Sequence, residues 1–160
     1  MYIKGLLTIQ PGVELIFSPN SYIIIEGSIN AASNTKDKII FRPEKKDWKG
    51  VYVFESGNLP KSKSKLKNVD FIKTTNLNDG ILDLTGAISF YNTDVEMRNV
   101  TFDSTVAEDS LNIVKSKFMM NNVTILSTIS DGLDSDFSSG VIKNSSFNQI
   151  GGDALDFSGS

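Results

Sequence analysis

The sequence predicts an all-β fold, a right-handed parallel β-helix wound in coils of about 22 residues. Three observations predict it. Four segments align at one Asn: SKLKNVDF at Asn68, DVEMRNVTF at Asn99, SKFMMNNVTI at Asn122 and GVIKNSSF at Asn144, spaced 31, 23 and 22 residues apart. A second marker keeps the same phase, with Asp109-Ser-Leu-Asn112, Asp131-Gly-Leu-Asp134 and Asp153-Ala-Leu-Asp156 each 22 apart. The composition is that of strands and turns: Gly, Ser, Asn, Asp and Thr abound, and only 39% of residues are hydrophobic.

Each element follows from that period. The N-terminal third lacks the Asn ladder but carries short alternating apolar pairs, Leu15 and Phe17, Ile23 and Ile25, Ile39 and Phe41. Pro11-Gly12, Pro19-Asn20, Gly27 and Pro43 punctuate them. Trp48-Lys-Gly50-Val51-Tyr-Val53 opens the next coil. Loops are expected at 31–37, 43–47, 57–64 and 74–86, the last holding about nine residues beyond the 22-residue period. From 87 to 160 the register is strict. Leu66, Met97, Met120 and Ile142 precede each Asn by two, and Phe71, Phe102, Ile125 and Phe147 follow it by three, so both sets should fill the interior. Asn should occupy a left-handed corner, where stacked amides hydrogen-bond from coil to coil. One domain spans 1–160 with no helical cap. It stops in mid-coil at Asp156-Phe-Ser-Gly-Ser160, which suggests a segment of a longer polypeptide whose further coils would be its partners.

The totals exclude several chemistries. No His is present, which removes histidine bases and His-ligated zinc; no Cys is present, which removes disulfides and thiolate metal sites. No apolar run is long enough for a membrane span, and no signal-peptide pattern opens the chain. The net charge of −3 hides an asymmetry. Residues 36–73 carry eleven basic against five acidic groups, and residues 74–160 carry four against twelve. The lysines at Lys61, Lys63, Lys65 and Lys67 read as a solvated loop or protected edge, and no nucleic-acid partner is expected.

The runs Gly86-Ala-Ile-Ser-Phe-Tyr91, Glu108-Asp-Ser-Leu-Asn-Ile-Val114, Asp134-Ser-Asp-Phe-Ser138 and Asp153-Ala-Leu-Asp-Phe-Ser-Gly-Ser160 resemble the right-handed β-helix repeat domain of bacterial surface and exported proteins. That domain belongs to the broad pectate-lyase-like superfamily. Leu7-Thr-Ile-Gln-Pro-Gly12 through Trp48-Lys-Gly50 resembles the first coils of many such domains. The resemblance implies an extracellular or cell-surface location and an association with carbohydrate. The superfamily holds lyases, hydrolases and epimerases but also adhesins and non-catalytic scaffolds, so fold alone does not decide among them.

Candidate chemistry lies in the acidic columns. By alternation, Leu133 and Ser135 face inward with Leu111 and Ile113, while Asn112, Asp134 and Asp156 form an outward column with Asp136 beside it. Stacked carboxylates repel, so a cation, backbone N–H groups or a raised pKa must offset them. Calcium held by Asn112, Asp134, Asp136 and Asp156 is one reading; acid–base work by Asp134 and Asp136, with Lys115 as a base, is another. A plainer reading has Asp109, Asp131 and Asp153 bonding their own backbone at a repeated turn. Asn92-Thr-Asp94 matches the first polygalacturonase-like motif, but the paired Asp-Asp and the His of that motif are missing. The sequons at Asn99, Asn122 and Asn144 follow from the Asn ladder. Gly151-Gly152-Asp153 is similar to calcium-binding nonapeptide repeats, but the period here is 22.

The expected function is a non-catalytic scaffold or carbohydrate-binding module of a larger exported protein, with polysaccharide as its partner. The alternative is a polysaccharide lyase or glycosidase that uses the outward Asp cluster, with or without calcium.

Overall fold

The computed structural model describes residues 1–57 and 63–159. Among them no helix occurs. The strands of the first half are β1 (Tyr2–Ile9), β2 (Glu14–Phe17), β3 (Ile23–Ala32), β4 (Ile39–Pro43), β5 (Val51–Phe54), β6 (Ser64–Ile72), β7 (Leu77–Asn78) and β8 (Asp83–Leu84). Those of the second half are β9 (Gly86–Tyr91), β10 (Val95–Asp103), β11 (Asp109–Val114), β12 (Lys117–Leu126), β13 (Asp131–Asp136), β14 (Ser139–Lys143), β15 (Ser146–Asn148) and β16 (Leu155–Ser158). All but β7 and β8 join one curled sheet, ordered β14-β12-β10-β6-β3-β5-β9-β11-β13-β16, with β1, β2, β4 and β15 alongside.

Every pairing in that sheet is parallel, and each strand meets its equivalent one coil away. The stacking is solenoid-like and forms three ladders. The first runs through β1, β3, β5, β9, β11, β13 and β16. The second and third share the long strands β6, β10 and β12, which turn at their central Asn. The register extends to the N-terminus: Tyr2 pairs with Ile24 and Ile9 with Ala31, an offset of 22 that the apolar pattern of 1–35 did not reveal.

The interior is columns of like side chains. Leu15, Phe41, Phe71, Phe102, Ile125 and Phe147 follow one another through consecutive coils. Phe41 stacks on Phe71 at 4.7 Å and Phe71 on Phe102 at 5.3 Å, close to the strand spacing. Trp48 closes the N-terminal part of this core against Phe17 at 4.0 Å. Leu66, Met97 and Met120 are buried as expected, and Ile142 and Phe147 pack partly buried at the last coil.

The corners are left-handed and mostly without glycine. Asn68, Asn99, Asn122 and Asn144 have φ of 55°, 53°, 56° and 51°. Two further corner ladders share this conformation: Lys73, Ser104, Ser127 and Gln149, and then Asn92, Lys115 and Phe137, φ 50–60° throughout. At the first corner the amides form the expected ladder. Asn99 donates to Asn68 at 2.9 Å and Asn122 to Asn99 at 2.7 Å, but Asn144 steps aside to Asn121 at 3.0 Å.

The extra length falls between Thr75 and Gly86. Thr75 still bridges to Val106, 31 residues on, whereas Gly86 pairs with Asp109, 23 on. The intervening residues form the antiparallel hairpin β7–β8. Leu77 of this hairpin is fully buried, and so is Tyr52 on the outward side of β5, whose hydroxyl lies at the Leu77 backbone. Burial pushes the Tyr52 phenol up.

Lys65 and Lys67 do not lie in a loop or on an edge. They face outward from β6, which is paired on both sides, and they alternate with inward Ser64 and Leu66. Lys61 and most of the expected 57–64 loop lie outside the described residues.

Candidate functional site

The register builds the first ladder's outer face as two neighbouring columns. One is Tyr52, Ser89, Asn112, Asp134 and Asp156; the other is Phe54, Tyr91, Val114, Asp136 and Ser158. Leu133 and Ser135 point inward and are fully buried, as alternation requires. Burial fades along the first column. Ser89 is inaccessible, Asn112 is 5% exposed, Asp134 is half-buried, and Asp156 is open.

Asn112 links the acids. Its Nδ2 donates to Asp109 Oδ2 and to Asp134 Oδ2, each at 3.1 Å. Its Oδ1 is buried and has no hydrogen-bond partner among the described residues. Gly86 permits this approach, because a Cβ there would come within 2.6 Å of both Asn112 Cβ and Ser89 Oγ. Asp109, only 3% exposed, also bonds the Thr85 side chain.

Burial, reinforced by Asp109, Asp136, Asp156 and Asp131, raises the Asp134 carboxyl to about 6. Burial also raises Asp109, against the bonds from Asn112 and Thr85. The Tyr91 phenol is raised by burial and by the surrounding Asp109, Asp134 and Asp136. Tyr91 stacks on Phe54 at 4.9 Å, which fixes its ring. The result is a polar face, held by the Asn112 bonds and the Phe54 stacking, that presents carboxyls and a phenol.

The other candidates take up different roles. Asp131 Oδ1 accepts the Asp153 N–H at 2.8 Å, one coil on, rather than a backbone N–H of its own turn. Lys115 is an exposed left-handed corner, its N–H bonded to the Asp136 carbonyl, and no ion pair joins it to an acid among the described residues. Asn92 reaches Glu55, and Asp94 caps the Lys117 N–H at 2.8 Å, so this motif holds corners together.

Among the described residues no group of three or more acidic side chains is arranged to hold a metal ion, and Asn112 faces Asp109 and Asp134 with donor N–H groups.

Ser89 and Tyr91 are the site residues that the sequence reading passed over. Carrying the register back 23 residues from Asn112 and Val114 finds both. Comparison with protein-family models, with curated proteins and with solved structures finds no match to this chain. Among the described residues no helix is long and apolar enough to cross a membrane.

Proposed function

We propose that this chain is a right-handed parallel β-helix of the pectate-lyase-like kind, and that it serves as a non-catalytic, polysaccharide-binding module of an exported or cell-surface protein. The parallel, coil-by-coil stacking supports the β-helix reading, and parallel crossovers are nearly always right-handed. The observation that carries the binding reading is the Asn112–Asp134 pair beside Tyr91 and Asp136 on one rigid face. A carboxyl accepts from two neighbouring sugar hydroxyls, and a carboxyl that titrates near 6 can also donate. Strands hold such groups in place without an ordering cost on binding.

Affinity electrophoresis of the whole chain against uncharged polysaccharides tests this reading. Retardation should occur and should be lost in Asp134→Ala/Asp136→Ala. Equal mobility of wild type and variant in every gel would refute it.

The elevated Asp134 supports a second reading, glycoside hydrolysis with Asp134 as the acid. Asp134 and Asp136 lie two residues apart on one strand and so project from the same face, where two carboxyls could flank one glycosidic bond. Release of reducing ends from a bound polysaccharide, abolished by Asp134→Asn, would replace the module reading with this one.

A further inference from the structure

A groove of about 380 Å³ lies on the outer face of the second ladder, lined by Asn30, Asn34, Lys65, Lys67 and Arg98 and by one acid, Glu96. Two columns build it. Asn30, Lys65 and Glu96 stack in one; Ala32, Lys67 and Arg98 stack in the other, which continues to Asn121 and Lys143. Stacked neighbours sit about 4.8 Å apart and alternate residues of a strand about 6.7 Å apart, so Lys65, Lys67 and Arg98 form a tight cationic triangle.

Glu96 offsets Arg98, so the uncompensated charge in the groove is that of Lys65 and Lys67. Glu96 is held low by Lys63 at 3.1 Å and Arg98 Nε at 2.7 Å, so its charge is already shared. Lys67 Nζ bonds only the neutral Asn34 Oδ1 at 2.8 Å, and Lys65 has no ion-pair partner among the described residues. Edge protection does not account for these lysines, because β6 is an interior strand. Small Ala32 leaves the groove its depth, and the Asn side chains add neutral hydrogen-bonding groups between the charges.

We infer that this groove binds an anionic polysaccharide, a chain carrying carboxylate or sulfate groups, laid along the stacking direction. The row Lys67, Arg98, Asn121 and Lys143 runs along the stacking direction and suits a polymer that carries charges and hydroxyls along its length. Single-stranded nucleic acid is the other polyanion to consider, and it needs aromatic platforms on which bases stack. No aromatic side chain lines the groove. This site lies on a different ladder from Asp134 and does not depend on the reading given to that face.

Calorimetric titration of the whole chain with polygalacturonate and with heparin, at low and high salt, tests the inference. Dextran and single-stranded DNA serve as comparisons. One or both anionic glycans should bind, and binding should weaken with salt. Lys65→Gln/Lys67→Gln should weaken it roughly tenfold, the loss expected from two exposed charge contacts. Asp134→Asn should leave it intact, which separates this site from the acidic face. Thermal melting of the double variant shows whether it remains folded, and because both side chains point to solvent its midpoint should match wild type. Three results would overturn the inference: no binding of either glycan, equal binding by wild type and a folded double variant, or tighter binding of DNA than of both glycans.

Discussion

Asp134 sits where its column passes from covered to open, and that position sets its titration. An ordinary aspartate near 3.8 is raised here to about 6 by burial and by its acidic neighbours. The folded state therefore holds this proton more tightly than the unfolded chain does. Stability from this group is fully present below 3.8, falls as pH rises through 3.8 to 6, and is gone above 6. Asp134→Asn keeps an acceptor for Asn112 and removes the charge. At pH 8 it should be more stable than wild type by on the order of 1 kcal/mol after solvent screening, and the gap should close by about pH 4. Urea melts at the two pH values check this; an equal gap at both would contradict it. Lys115 makes a different point. It was a candidate base by proximity in sequence, yet it is an exposed corner with φ 51°. Lys115→Gly should raise stability by about 0.5 kcal/mol, since a left-handed backbone strains any residue with a Cβ while glycine gives back part of the gain as unfolded-state entropy. A fall in melting temperature would count against strain at this corner. Corner residues of this sort were only partly legible. Asn favours the left-handed region and so marked one ladder; Lys73, Ser104 and Phe137 carry no such signal.

At the level of elements, the Asn ladder and the β7–β8 hairpin do opposite things. The ladder enforces sameness from coil to coil. Asn99 is its middle rung, donating to Asn68 and accepting from Asn122. Asn99→Ala loses both bonds and places a poor left-handed residue at φ 53°, a cost of about 1–2 kcal/mol. Asn99→Gly loses the bonds but keeps the backbone, so it should cost less. Chemical denaturation of the pair separates the two effects, and equal losses would assign everything to the amides. The hairpin breaks the sameness. Its length was legible as a long spacing, but its antiparallel pairing and its burial of Tyr52 were not, because Leu77 and Leu84 are too few to show a strand pattern. Strand β1 was missed for a related reason. Gly5 falls at an inward place and the apolar Tyr2 and Leu6 face outward, which blurs its alternation, and only pairing with β3 shows that the period continues there.

Across the whole molecule, charge segregates by face. Acids collect on the outer first ladder in the C-terminal half, and Lys65, Lys67, Arg98 and Lys143 align on the second. The charge asymmetry along the chain was legible in the sequence, but its distribution between faces was not, since strands of one coil serve more than one ladder. The 22-residue register carries a further implication. Lys117 pairs with Ser139 and Leu133 with Leu155, so residues 117–138 are a unit whose two ends occupy equivalent places. Length here is quantised. Excising Lys117–Ser138 joins Ser116 to Ser139 and leaves every remaining side chain on its own face, so the shortened protein should fold with β-type circular dichroism and a lower melting temperature. Excising Lys117–Ser127, half that length, sets each later strand on the wrong ladder and should abolish cooperative melting. Outside loops such as the β7–β8 hairpin, which absorbs extra residues without shifting the strands around it, insertions and deletions would then be tolerated in whole coils and penalised in fractions of one, as if the chain were edited in words rather than letters.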